Sequence, residues 1–97
     1  MNNIELGKWG ERQAKLYLEN KGYAIIVQNF RCPAGEIDII AKDGEWIVFV
    51  EVKTRRSKNY GYPAEAVNSR KQIKYIQTAL YYLKKNQLLD KTYRFDI

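Results

Sequence analysis

The most apolar run of the chain, residues 46–55, carries two opposite charges near its end. Because alternate side chains of a β-strand point to opposite faces, a strand here would divide into two rows. The first row consists of Trp46, Val48, Val50 and Val52, and the second of Ile47, Phe49, Glu51 and Lys53. Both rows are mostly apolar, which predicts a central strand that is covered on both faces. Burial of Glu51 and Lys53 is unfavourable unless they pair or bind an ion, so the alternative is a strand that ends at Val50, with both charges in solvent.

The length and the charge of the chain restrict its class. With 97 residues, of which 45% are hydrophobic, we expect one small folded domain over residues 1–97 with a single core. The 17 basic and 11 acidic side chains give a net charge of +6, which favours a polyanionic partner such as nucleic acid. A role of this charge in solubility alone is the alternative.

Missing residue types restrict the chemistry. The sequence has no histidine and a single cysteine, Cys32, which excludes an internal disulfide and a cysteine-based zinc site and suits a reducing compartment. Any catalysis would then depend on carboxylates, Lys, Tyr or a cation bound through oxygen. The sequence shows no apolar signal segment and no apolar run of membrane-spanning length, so we expect a cytoplasmic protein.

Hydrophobic periodicity and turn residues predict an α/β domain with the element order α-β-β-β-α-β. The predicted elements are a helix over Ile4–Asn20, strands over Tyr23–Arg31, Glu36–Ala41 and Trp46–Arg55, a helix over Ser69–Lys85 and a strand over Tyr93–Ile97. The Asp43-Gly44 turn predicts that the second and third strands form an antiparallel hairpin. The long helix before the last strand is typical of a crossover, which favours parallel pairing of the last strand with the third.

Two further expectations concern side-chain faces. In the second strand, alternation puts Ile37 and Ile39 on one face, and Glu36, Asp38 and Ile40 on the other. In the long helix, the buried stripe is expected to consist of Ile73, Ile76, Leu80 and Leu83. These assignments determine which side chains would reach the core from each element.

Carboxylates on or beside apolar elements are the unusual feature of the sequence. Asp38 and Glu51 belong to the end of the hairpin away from its turn, and Glu11 borders the apolar stripe of the first helix. Mg²⁺ and Mn²⁺ prefer oxygen ligands, which Asp38, Glu51 and the carbonyl of Val52 would supply. Glu11 would reach a water or a second metal. Lys53 would orient the attacking water or stabilise charge on a phosphate, whereas the opposite role, as a base, would need a strongly lowered pKa.

Basic and aromatic residues follow this strand. Residues 55–62 mix cationic and tyrosine side chains with Ser, Asn and Gly, which is typical either of a solvated loop or of a surface that contacts phosphates and bases. The first turns of the long helix are also basic. The residues expected to contact nucleic acid are Arg31, Arg55, Arg56, Lys58, Tyr60, Arg70 and Lys71.

Two motifs carry a resemblance to a known family. The segments Gly35–Ala41 and Phe49–Arg55, together with Gly10-Glu11 in the first helix, resemble the signature of the bacterial YraN-type family. The resemblance implies a restriction-endonuclease-like fold, close to that of archaeal Holliday junction resolvases, with a mixed central sheet flanked by helices. It also implies that the metal-binding and catalytic positions are Glu11, Asp38, Glu51 and Lys53.

The resemblance also bears on assembly and activity. Members of the family usually continue beyond the last strand, whereas this chain ends at Ile97, so we expect either an incomplete last strand or a short member. An open sheet edge there would favour a homodimer. We expect a Mg²⁺- or Mn²⁺-dependent DNA endonuclease, with branched DNA as one expected substrate. A non-catalytic nucleic-acid-binding module on the same scaffold is the alternative, and a protein–protein adaptor is a third reading.

Overall fold

The computed structural model describes residues 2–52 and 69–96, without the side chains of Ser69 and Lys71. In this part the chain forms α1 (Asn3–Asn20), β1 (Ala24–Cys32), β2 (Gly35–Asp43), β3 (Trp46–Val50), α2 (Ser69–Lys85) and β4 (Thr92–Asp96). The predicted element order is confirmed, and the bounds agree with the predicted ones to within two residues, except that β3 ends at Val50. Neither of these helices is long and apolar enough to cross a membrane.

The first helix begins and ends at residues with clear local causes. The side chain of Asn2 accepts a hydrogen bond from the Glu5 N–H at 2.8 Å, which satisfies one of the free donors of the first turn. After the last turn, Lys21 caps the helix and Gly22 takes a φ of 92°, a left-handed conformation that favours glycine. Gly10 and Leu18 are the buried residues of α1.

The sheet has the strand order β1-β2-β3-β4, in which the first three strands are antiparallel and β4 is parallel to β3. Both predicted pairings, the hairpin and the parallel crossover, are confirmed. The hairpin pairs Asp43 with Trp46, and Gly44 in its turn has a φ of 60°. The chain is therefore a small mixed α/β domain in which β3 lies between an antiparallel and a parallel neighbour.

The strand β3 is buried on both faces, as its sequence predicts. Ile47 and Phe49 pack in a cluster with residues of α2, whereas Val48 and Val50 pack in a second cluster with Leu18 of α1. Each helix therefore covers one face of the sheet. The predicted continuation of the strand over residues 53–55 lies outside the described part of the chain.

The predicted alternation of β2 is wrong at one step. Ile37 packs with Ile40 in the cluster of α2, whereas Ile39 packs in the cluster of α1. The break lies opposite Asn29 of β1, which has a φ of 54°. A left-handed residue turns the backbone out of the regular ladder, so the two-residue period does not continue through this point.

The predicted buried stripe of α2 is correct only at Leu83. Ile73, Ile76 and Leu80 are 57%, 45% and 40% exposed. Among the described side chains of this helix, those of Thr78, Ala79, Tyr82 and Leu83 are buried. The helix is thus rotated about its axis relative to the sequence-based expectation.

Small residues at the helix–sheet contact explain the rotation. A Cβ placed on Gly35 would lie 2.8 Å from Thr78 Oγ1, so α2 approaches β2 closely where neither side carries bulk. The ring of Tyr82 fills the adjacent space, with its centroid 5.3 Å from Phe30 and 6.1 Å from Phe49 in edge-on contacts. A face made of isoleucines would hold the helix farther from the sheet.

Candidate acidic site at the end of β3

The hairpin register brings two of the predicted site residues together. Pairing between β2 and β3 runs from Asp43 and Trp46 at the turn to Ile39 and Val50 at the far end. Asp38 directly precedes Ile39 and Glu51 directly follows Val50, so both carboxylates adjoin the last pair of this ladder. The prediction that both carboxylates lie at the end of the hairpin away from its turn is therefore confirmed.

Asp38 is tied to the backbone that follows β3. Its Oδ2 accepts a hydrogen bond from the Val52 N–H at 2.9 Å. Burial raises the pKa of Asp38 to about 6; the bond from Val52 opposes this rise, and repulsion from Glu51, Glu11 and Glu36 adds to it. The carboxylate is thus held at a place where its own charge is unfavourable.

Glu51 continues the parallel pairing of the sheet. Its N–H donates a hydrogen bond to the Asp96 carbonyl at 2.9 Å, which fixes the chain just beyond β3 against the end of β4. Glu51 and Asp96 both line an open cleft of about 560 Å³ between α1 and the ends of these strands. The other lining residues are Ala14, Tyr17, Leu18, Val50, Val52 and Phe95.

Glu11 reaches this site from the helix. It is half-buried on α1, and its charge contributes to the raised pKa of Asp38. The structure therefore brings Glu11, Asp38 and Glu51 within electrostatic reach of one another, although they are far apart in sequence. Lys53, the fourth predicted catalytic residue, lies outside the described residues.

Asp96 is a site residue that the sequence analysis did not single out. Its Oδ2 lies 3.5 Å from Nε of Arg94, which also contacts Asp43 Oδ2 at 3.1 Å. The sequence indicates Asp96 through the predicted parallel pairing, because that pairing places the end of the last strand beside Glu51.

Tyr75 of α2 is a second residue that the sequence analysis did not assign to the site. Its ring packs 5.4 Å from Phe95, measured between centroids. Its hydroxyl, however, is buried without a hydrogen-bond partner among the residues that the structure describes. Burial, followed by the charges of Glu51, Asp38 and Asp96, raises the pKa of Tyr75 well above its usual range. No spacing rule in the sequence indicates this position.

The donor chemistry of the site suits a hard divalent cation. Asp38 and Glu51 offer carboxylate oxygens, the ligand type that Mg²⁺ and Mn²⁺ prefer. Across residues 2–52 and 69–96, no group of three or more His, Cys, Asp or Glu side chains is arranged to hold a metal. An ion bound by the Asp38–Glu51 pair would therefore complete its shell with a carbonyl, such as that of Val52, with water or with substrate oxygens.

The predicted nucleic-acid-binding residues are only partly described. Arg31 is exposed, and its Nε lies 3.3 Å from Glu36 Oε2. Arg70 is exposed in the first turn of α2. The side chains outside the described part are those of Arg55, Arg56, Lys58, Tyr60 and Lys71.

Comparison with known proteins places the chain in a family. The profile of the uncharacterised protein family UPF0102 matches residues 10–97. A UPF0102 protein of Clostridium acetobutylicum is 50% identical over 98% of this chain and 78% of its own length. A UPF0102 protein of Caldicellulosiruptor saccharolyticus is 50% identical over 100% and 82%, and one of Syntrophus aciditrophicus is 52% identical over 98% and 75%. The resemblance to the YraN-type family is thereby confirmed, and the chain belongs to the uncharacterised protein family UPF0102.

Proposed function

We propose that the protein is a Mg²⁺- or Mn²⁺-dependent endonuclease that hydrolyses phosphodiester bonds in DNA. The observation that carries this proposal is the gathering of Glu11, Asp38 and Glu51 at the end of β3, where burial, with repulsion from the other two carboxylates, raises the pKa of Asp38 to about 6. The charged form of Asp38 is therefore unfavourable in the free protein, and ionisable groups with strongly shifted pKa values are typical of functional sites.

The requirement for a cation follows from the signs of the charges. Phosphate and carboxylate repel each other, so the carboxylates at the end of β3 would repel nucleic acid unless a cation came between them. Asp38 and Glu51, with the carbonyl of Val52, are the residues that would hold it. When bound, the cation would polarise the scissile phosphate and lower the pKa of a coordinated water.

The reaction is a hydrolysis. The oxygen of water forms a bond to phosphorus, one P–O ester bond breaks, and the departing oxygen leaves with a proton. Glu11 would position water from the side of α1. Lys53, just beyond Val52 in the chain, would orient the attacking water or stabilise the extra negative charge on the phosphate.

The architecture supports a restriction-endonuclease-like fold. A mixed sheet with one helix on each face, and acidic residues at the far end of a central hairpin, agrees with the arrangement that the resemblance implies. The net charge of +6 supports DNA as the partner, and the likeness to Holliday junction resolvases favours branched DNA. A homodimer, also expected from the sequence, stays a prediction.

The test is cleavage of a panel of duplex, flap and four-way DNA with Mg²⁺, with Mn²⁺ and with a chelator. We expect metal-dependent cleavage that falls at least about 100-fold in Asp38→Asn and in Glu51→Gln, since loss of a ligand should exceed the effect of losing a supporting contact. Glu45→Gln, a change of the same chemistry at an exposed turn residue, is the matched control. Equal cleavage by Asp38→Asn and the parent would end the assignment.

The same panel of DNA substrates distinguishes the nuclease from the alternative function. A non-catalytic binding module would bind DNA with a steep dependence on salt and would need no metal. Metal-independent binding without cleavage on every DNA tested would therefore favour that module over the nuclease.

A further inference from the structure

Most of the net charge of the protein belongs to one helix. The sequence of α2 contains five of the 17 basic residues and none of the 11 acidic ones, so this helix accounts for +5 of the net charge of +6. The rest of the chain is nearly neutral. Positive charge is thus concentrated on a single element that covers one face of the sheet.

The cations of α2 belong to one line along its exposed side. Positions three and four residues apart are neighbours on a helix surface, and five polar side chains follow one another at such steps. These side chains, all of them exposed, form the α2 ridge, which consists of Arg70, Lys74, Gln77, Tyr81 and Lys84. Lys85 is exposed beside its last member. The buried side of the helix, with Thr78 and Leu83, packs on the sheet, so the ridge faces solvent.

The ridge begins at the end of the sheet that carries the carboxylates. There α2 lies against Gly35, a few residues before Asp38 in β2, and the Lys74 carbonyl is 3.9 Å from a Cβ placed on this glycine. The strand that follows α2 begins at the hairpin-turn end of β3, so the helix runs back along the sheet. From Arg70 to Lys84 the ridge is about 21 Å long, which corresponds to about six base pairs of duplex DNA.

Helix stability does not explain the whole ridge. Arg70 and Lys74 lie in the first two turns, where positive charge is unfavourable for the helix dipole, and they repel each other across one turn. Only Lys84 and Lys85, in the last turn, favour the dipole. None of these four cations forms an ion pair with another described residue. Solubility would need the charge but not its alignment, so the ridge is better explained by a partner with a regular row of negative charges.

We propose that α2 binds the backbone of duplex DNA, with the phosphates of one strand following the α2 ridge away from the acidic site. This inference rests on the proposed function for the class of partner, nucleic acid, but it needs neither the cation nor turnover. The cations of the ridge would neutralise phosphates, while Gln77 and Tyr81 would donate hydrogen bonds to phosphate oxygens. Such contacts carry no sequence information, so binding should depend on salt and not on base sequence.

Two double variants test the two ends of the ridge separately. Arg70→Gln/Lys74→Gln removes the cations at the end next to the acidic site, and Lys84→Gln/Lys85→Gln removes those at the far end. Binding to a fluorescent duplex of about 12 base pairs, twice the span of the ridge, is measured with a chelator present at several salt concentrations. Thermal unfolding without DNA is measured on the same samples.

The matched control is Lys8→Gln/Arg12→Gln, which removes the same two residue types at the same spacing from exposed positions of α1. Each α2 variant should lower the slope of log affinity against log salt by about two, and the affinity at low salt about tenfold, because two phosphate contacts are lost. The control should keep the slope of the parent. The melting temperature of Arg70→Gln/Lys74→Gln should equal or exceed that of the parent, since an unfavourable charge pair is removed.

Four results would overturn the inference. They are a parent slope retained by Lys84→Gln/Lys85→Gln, an equal loss in the α1 control, no binding of the parent to duplex DNA in chelator, and binding to phosphatidylglycerol vesicles that both α2 variants lose while duplex binding is unchanged. The last result would assign the ridge to a membrane surface. Metal-dependent cleavage that requires Asp38 would still support the nuclease in each case, whereas a parent that binds duplex along α2 and never cleaves would remove only the nuclease.

Discussion

At the scale of single residues, Asp38 is the side chain that connects the parts of the site. Its carboxylate caps the backbone at Val52 and at the same time lies near Glu51 and Glu11. The hydrogen bond stabilises the charged form, while burial and the neighbouring charges disfavour it more strongly, so the net pKa is about 6. Such a residue links folding, proton binding and cation binding.

The raised pKa makes stability depend on pH in a defined direction. Between the usual value of 3.8 and about 6, folded Asp38 holds its proton more tightly than the unfolded chain does. Its contribution to the free energy of unfolding therefore falls as the pH rises through this window. Asp38→Asn keeps an oxygen for the Val52 N–H and removes the charge, so it should be more stable than the parent at pH 7, by on the order of 1 kcal/mol after solvent screening.

Urea unfolding of both proteins from pH 4 to pH 8 measures this difference. The gap between variant and parent should open as the pH rises and stay constant above about 7. A variant that is less stable than the parent at pH 7 would contradict the raised pKa.

The same residue couples cation binding to pH. Protons and the cation compete for Asp38, so Mn²⁺ should raise the melting temperature of the parent strongly at pH 7.5 and weakly at pH 5. At 100 times its dissociation constant, the ion would add about 2.7 kcal/mol to the free energy of unfolding. A thermal shift assay measures this effect, and equal shifts at both pH values, or equal shifts in Asp38→Asn, would argue against the assignment.

The residues of the site differ in how far the sequence predicts them. Asp38 and Glu51 are predictable because the Asp43-Gly44 turn fixes a short hairpin, and the register then places them together. The position of Tyr75 beside Phe95 is not predictable, because it depends on how α2 is rotated, and the hydropathy pattern does not determine that rotation.

At the scale of elements, α2 is a helix whose bounds the sequence predicts but whose buried face it does not. Periodicity correctly predicts a helix over Ser69–Lys85, yet the face with the isoleucines is the exposed one. The close contact at Gly35 favours a small residue of the helix, Thr78, over the isoleucines at this place. A close contact between a helix and a strand cannot be predicted from the sequence of either element alone. For this reason the buried stripe predicted for α2 was wrong.

The observed face predicts unequal effects of two leucines. Leu83 is fully buried, so Leu83→Ala should lower the free energy of unfolding by about 2–5 kcal/mol through lost contacts and a cavity. Leu80 is 40% exposed, and Leu80→Ala should lower it by less than about 1 kcal/mol. Urea unfolding of the two variants checks this, and a larger loss in Leu80→Ala would restore the stripe predicted from the sequence.

At the scale of the whole molecule, the crossover from β3 through α2 to β4 assembles the site. Parallel pairing sets Asp96 beside Val50 and brings the Glu51 N–H to the Asp96 carbonyl. The topology was predictable from element order, because a strand, a long helix and a strand favour parallel pairing. The break in the alternation of β2 opposite Asn29 was not predictable, since it depends on the conformation of that one residue.

The central claim is that the carboxylates at the end of β3 bind a divalent cation, and paramagnetic broadening by Mn²⁺ tests it most directly. In a two-dimensional amide spectrum of the full chain, Mn²⁺ below one equivalent should first broaden the signals of Asp38, Glu51, Val52 and Asp96, because broadening falls steeply with distance from the ion. The same titration of Asp38→Asn should lose this pattern. Broadening centred on other acidic residues, such as Glu5 or Asp90, or no specific broadening in the parent, would contradict the claim.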